Sequence, residues 1–148
     1  MTEAKKAPVS PRHRARELAL QGIYEWKISG SSATQIGRST GDDKSLGRYD
    51  SELYQQLLRG AIAQHEALNA QIAPQLDRAL EELSPVEYSV LLLGAYELFH
   101  QPEVPYRVVI NEAVELAKTF GGSDGHKFVN GVLDKLAAVA RAVEVKAK

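Results

Sequence analysis

Cysteine is absent from the 148 residues, which excludes a disulfide framework, a thiolate zinc site and a cysteine nucleophile. Long apolar runs are absent too, none approaching the roughly 18 residues of a membrane-spanning helix. The opening M-T-E-A-K-K-A-P-V-S-P has no apolar stretch of the kind a secretory signal needs. These absences predict a soluble, unprocessed, cytoplasmic protein. The four histidines, His13, His65, His100 and His126, have no metal-ligand spacing, and no glycine-rich phosphate loop occurs. The acidic pairs Asp42-Asp43 and Glu81-Glu82 do not converge, because neighbours one apart on a helix point away from each other. No catalytic residue, metal or cofactor is therefore expected.

Net charge is also scarce, at −1, but it is unevenly spread. Lys5, Lys6, Arg12, Arg14 and Arg16 stand near the start against Glu3 alone, so the rest of the chain carries an excess of acid. Such a cluster attracts a polyanion through local density rather than overall charge, since separated charges are screened beyond about 8 to 10 Å. The bland alternative is a solvated tail.

What is present is helical periodicity. Residues 1–9 lack any period. Ser10-Pro11 reads as a helix start, and Ala15, Leu18, Ala19, Gly22, Ile23 and Trp26 then recur on one face to about Ser29. Gly30 to Gly47 reads as a surface connection with at most a short helix over Ala33 to Arg38. A cap at Asp50 or Ser51 opens a helix running to Pro74 through Leu53, Leu57, Leu58, Ala61, Ile62, His65, Leu68 and Ile72, with Gly60 inside it as a mark of close packing. A shorter helix is expected over Gln75 to Leu83.

Ser84-Pro85-Val86-Glu87 is a capping box. The helix it opens contains Val90-Leu91-Leu92-Leu93, apolar on every side, and is expected to be central. Pro102 and Pro105 precede a helix from Tyr106 to Phe120, which Gly121-Gly122 stops. Ser123 or Asp124 then caps a last helix with Phe128, Val132, Leu136 and Val139 along one side. Without strand alternation, the fold class is all-α, a compact bundle of six or seven helices. Residues 1–11 form a basic arm and residues 12–148 one helical domain.

Asp124, His126, Lys127 and Phe128 place a helix N-terminus, a cation and an aromatic together, the ingredients for holding phosphate and stacking a base. On the residues alone, Phe128 reads first as core. Asn111 reads as a buried asparagine serving open amides, and Asn130-Gly131 as a tight helix crossing. Trp26 falls on the core face, whereas Tyr24 is displaced from it and stays available for stacking beside the arginines.

Three blocks carry a resemblance: R-H-R-A-R-E-L-A-L-Q-G-I-Y-E-W from Arg12, L-S-P-V-E-Y-S-V-L-L-L-G-A-Y-E-L from Leu83, and V-P-Y-R-V-V-I-N-E-A-V-E-L-A-K-T-F-G with H-K-F-V-N-G-V-L-D-K-L from Val104 to Leu136. The chain resembles the NusB family of bacterial transcription antitermination factors. That resemblance implies two packed helical subdomains and a non-catalytic role. The partners implied are the ribosomal protein NusE, single-stranded boxA RNA in ribosomal RNA transcripts, and the RNA polymerase antitermination complex.

Carried onto this chain, the resemblance implies an RNA-binding arm of Arg12, Arg14 and Arg16 extended by Lys5 and Lys6. Tyr24, Asp124, Lys127 and Phe128 become RNA-surface candidates, and Glu81 and Glu87 meet the protein partner or adjoining RNA. His13 and Ala15 interrupt the basic run, which implies fewer phosphate contacts. Two rivals remain at this point: a helical module that self-associates into homodimers, and an accessory domain of ribosomal RNA maturation.

Overall fold

The computed structural model describes residues 9–122 and 124–147. Lys5, Lys6 and Ser123, named above, lie outside them, as does most of the expected arm. Among the described residues there are eight α-helices and no strand: α1 (Pro11–Ser29), α2 (Ala33–Asp42), α3 (Ser51–Ala63), α4 (His65–Ile72), α5 (Pro85–His100), α6 (Tyr106–Phe120), α7 (Gly125–Ala140) and α8 (Ala142–Lys146).

The ends that local chemistry dictates fall where the sequence places them. The Ser10 hydroxyl accepts from the His13 amide at 3.0 Å and opens α1. Ser84 and Glu87 exchange the two bonds of the capping box at 3.1 and 3.2 Å and open α5. Residues Tyr88 to Ala95 of α5 are buried without interruption, and α1, α3, α4, α6 and α7 all pack on it. One group, α1 to α4, lies on one side of this central helix; the other, α6 to α8, forms with it a second bundle. Their apolar side chains merge in a continuous core.

Four expectations fail for identifiable reasons. The connection after Gly30 holds a full helix, α2, because Ser32 and Gln35 form a second capping box and Ile36 is buried. The helix expected to reach Pro74 breaks at Gln64, where the His65 ring donates from Nδ1 to the Ile62 carbonyl at 2.7 Å and meets Trp26 edge-on at 4.8 Å. The segment expected as a helix from Gln75 to Leu83 contains only 3-10 turns at Ala73–Gln75 and Leu80–Glu82. Val139, expected on the buried face of the last helix, is 54% exposed, since the chain turns at Arg141 just beyond it.

Two glycines separate close packing from its appearance. A Cβ on Gly60 would stand 2.2 Å from Tyr96 Cζ, so α3 and α5 approach here as the sequence suggests. A Cβ on Gly131 would meet nothing within 4 Å, and Asn111, Asn130 and Gly131 are all exposed. The buried asparagine and the tight crossing expected there are both corrected.

Candidate nucleic-acid interface

The three arginines of α1 have separate fates. Arg12 is exposed, with Nη1 3.6 Å from Asp50 Oδ2, while the other Asp50 oxygen caps α3 at the Leu53 amide. Arg14 is a quarter exposed; its Nη1 lies 3.0 Å from Glu17 and its Nε donates to the Leu46 carbonyl at 3.3 Å. Arg16 is buried between Ala15 and Ala19 and presents two nitrogens to Glu97 at 2.9 Å each, with Nη1 3.6 Å from Glu112. Burial alone would lower its pKa, but the hydrogen bond and charge of Glu97, with Glu112 behind, raise it instead. The expectation that Arg16 faces RNA is therefore corrected: the helical register points it into the protein. His13 joins the same network, Nδ1 2.7 Å from Glu112 and Nε2 3.5 Å from Glu17.

Farther along α1, Tyr24 is 41% exposed. With Leu20 and Gln21 of the same helix, Val86 of α5 and Phe120 of α6 it borders an almost wholly apolar cavity of about 240 Å³. Phe120 enters the sequence only as the last residue of the Tyr106–Phe120 helix. Its signal was slight, an aromatic closing a helix just before two glycines. One turn after Tyr24 on α1, Lys27 places its ammonium 4.6 Å from the centre of the Tyr88 ring.

The corner between α6 and α7 carries the second group. Asp124 stands at the N-cap position of α7, as expected, but its side chain bonds to no amide there and the carboxylate is exposed; Ser123, the other capping candidate, lies outside the described residues. Lys127 is exposed and Phe128 half-buried. One face of the Phe128 ring carries the Arg78 guanidinium, centred 4.4 Å away. Arg78 donates to Asp77 at 2.8 Å, which holds the Asp77 carboxyl below its ordinary range and raises Arg78. Phe128 is thus neither pure core nor freely exposed.

The first turn of α5 joins the two groups. Val86 lines the Tyr24 cavity, and Glu87 lies beside the α7 start, 3.8 Å from where a Gly125 Cβ would be. Glu87 is half-buried and already spends Oε1 on its own helix cap. Glu81, in the turn before α5, is exposed and makes no ion pair among the described residues. The surface from Tyr24 over Val86 and Glu87 thus reaches the start of α7 at Gly125, with Phe128 one turn farther along that helix. It offers aromatic faces, cations and an apolar hollow. Among the described residues no cluster of His, Asp or Glu is arranged to hold a metal, and no helix is long and apolar enough to cross a membrane.

Known proteins share this architecture and its residues. The NusB family profile matches residues 13–138. The transcription antitermination protein NusB of Thiobacillus denitrificans is 55% identical over 135 residues, 91% of this chain and 93% of the relative. That of Cupriavidus pinatubonensis is 53% identical over 147 residues, 99% and 88% of the two chains. Among solved structures, T. maritima NusB superposes with a TM-score of 0.79 at 28% identity, covering 94% of this chain and 99% of that one. A chain from the crystal structure of antitermination factors NusB and NusE in complex with double-stranded RNA does so with a TM-score of 0.78 at 26% identity, covering 86% and 96%.

Proposed function

The chain belongs to the NusB family of transcription antitermination factors, and from this we propose that it binds the boxA element of nascent ribosomal RNA together with NusE in the cytoplasm. It is a non-catalytic, RNA-binding member of the transcription machinery, and its effect is that RNA polymerase reads through terminators.

The observation that carries the site reading is the continuity of the aromatic surface. Tyr24 and Phe128 lie on helices far apart in sequence, yet Tyr24 borders the first turn of α5 at Val86, and Gly125, one turn before Phe128 on α7, lies beside Glu87 of that same turn. A single RNA strand crossing this turn meets Tyr24 and the apolar hollow with one base, and the Phe128–Arg78 pair with another. Stacking on an aromatic ring contributes about 1 to 3 kcal/mol per base and tolerates sequence. The Arg78 plane is itself a stacking surface, so its cover of Phe128 adds to the platform.

Phosphates are met by Arg12 and Arg14, with Lys5 and Lys6 preceding them and Lys127 at the far end; Arg16 supports the helix from within. Asp124 faces exposed donors of a base. The exposed Glu81 and the remaining oxygen of Glu87 offer carboxylates to a basic ribosomal protein. Charge supplies affinity without readout, so specificity rises when the partner completes the surface.

A fluorescence-anisotropy titration of labelled boxA RNA against a scrambled sequence, with and without purified NusE, tests this. The expected result is preference for boxA that grows when NusE is added. Equal affinity for both RNAs under both conditions would sink it.

A further inference from the structure

Gly131 is a glycine that the protein itself does not require. It lies inside α7 with an ordinary helical φ, since among the described residues only Gly30 and Gly47 take positive values. A Cβ placed on it would meet nothing within 4 Å. After proline, glycine is the least favourable residue in a helix interior, so neither the backbone nor the packing accounts for it. What an exposed glycine does provide is a bare stretch of helix that a second molecule can approach closely.

Gly131 helps to form a hollow of about 170 Å³, lined on the α7 side also by Lys127, Phe128 and Lys135 and on the other side by Gln75 and Asp77. Lys127, Gly131 and Lys135 follow at intervals of four residues and so form one stripe of the helix. The two cations flank the glycine, each roughly 6 Å from it along the axis. Both lysines are exposed, and neither makes an ion pair among the described residues. Asp77 is paired with Arg78 at 2.8 Å, which leaves the lysines as the uncompensated charge of the hollow. Phe128 belongs both to this hollow and to the stacked pair with Arg78.

We infer that this hollow carries the sugar-phosphate backbone of the RNA strand beyond Phe128: the backbone passes over Gly131, and Lys127 and Lys135 meet the phosphates on either side. The inference rests on the reading of the chain as a boxA-binding protein, and it adds Gly131 and Lys135 to that surface. A lysine ammonium is a point charge without the planar fork that matches a base edge, which suits it to phosphate. Contacts of this kind fix the register of a strand and carry no sequence information. The same two charges repel a basic ribosomal protein, which favours RNA over NusE as the occupant.

The test uses the full chain with purified NusE and labelled boxA RNA in fluorescence anisotropy. Gly131→Gln fills the space above the helix with a neutral side chain of higher helix propensity. Its melting temperature is expected at or above that of the parent, with boxA affinity reduced at least fivefold and NusE affinity, measured without RNA, within twofold. Lys135→Ala removes one phosphate contact at an exposed position. Its slope of log affinity against log salt is expected to be shallower than the parent's by about 0.7, with the preference for boxA over a scrambled RNA retained. Arg59→Ala, which removes an exposed cation from α3, is expected to keep the parent slope. Parent RNA affinity in Gly131→Gln overturns the inference, as does an unchanged slope in Lys135→Ala, an equal change in Arg59→Ala, or a loss confined to NusE binding. If the parent with NusE fails to prefer boxA, the functional reading itself has failed; a parent that prefers boxA beside unaltered variants marks the failure of this inference alone.

Discussion

Arg16 and Glu97 face each other as a fork, with Nε and Nη2 of the guanidinium each 2.9 Å from a different carboxylate oxygen. The pair ties α1 to the central helix, with both side chains at most 4% exposed. A buried pair costs several kcal/mol to desolvate, so it adds little net stability against an apolar substitute, but removing one partner strands the other.

Arg16→Met is therefore expected to lower the unfolding free energy by about 3 to 5 kcal/mol, measured by urea denaturation. The double variant Arg16→Met/Glu97→Leu is expected to recover most of that loss. If Arg16→Met leaves stability intact and weakens RNA binding alone, the internal role assigned to this arginine is wrong.

Arg12 and Arg14 carry the electrostatic part of RNA binding. Arg12 is held by one carboxylate on the surface, a weak attachment that a phosphate can replace, whereas Arg14 is a quarter exposed and held by both Glu17 and the Leu46 carbonyl. For two phosphates on a single strand, log affinity falls against log salt with a slope near −1.4. Arg12→Ala/Arg14→Ala is expected to make the slope of the parent shallower by about that amount while leaving the preference for boxA over a scrambled RNA. An unchanged slope removes these residues from the RNA contact.

Tyr24 and Phe128 are expected to differ in what their loss does. Tyr24 is 41% exposed, so Tyr24→Ala has little effect on folding and reduces boxA affinity by about 5- to 150-fold, the equivalent of one stacked base. Phe128 is partly packed on the core, and Phe128→Leu keeps that packing while removing the ring. Anisotropy and melting curves on the same samples separate the two effects. Full affinity in both variants would show that bases do not stack at these positions.

The parts of this molecule legible in the sequence are those decided within a few residues. Ser84 and Glu87 find each other three positions apart, and unbroken apolar character marks α5 as central whatever its neighbours. Where one pattern serves two structures, reading fails: of Leu76, Ala79, Leu80 and Leu83, which a helix would turn inward together, the leucines do so equally well from 3-10 turns, while Ala79 is exposed. Partner choice is hidden as well. Arg12 and Arg16 look equivalent, and only the carboxylate of Glu97, 81 residues away, decides that one is internal. Phe128 gives no hint that Arg78 will cover it. The exposed asparagines were misread for the same reason, because their surroundings are set by how α6 and α7 face each other.

The contact between α8 and the start of α6 should respond to acid. Glu144 Oε2 accepts from the Tyr106 backbone amide at 2.8 Å, and Oε1 lies 2.7 Å from Arg141. The Tyr106 amide first, and Arg141 second, hold the Glu144 carboxyl below its ordinary 4.5. A depressed folded pKa means that the unfolded chain binds the proton more readily, so this contribution to stability is present in full above the ordinary value and disappears as pH falls through the depressed one. The group is at the surface and its contribution is correspondingly screened. In NMR titration, the Tyr106 amide shift is expected to follow a transition whose midpoint lies below 4.5. Glu144→Gln should abolish that transition. A Tyr106 transition centred at or above 4.5 would mean that the amide bond to Glu144 does not persist in solution, and α8 would then be held by Arg141 and by the packing of Val145 on the core.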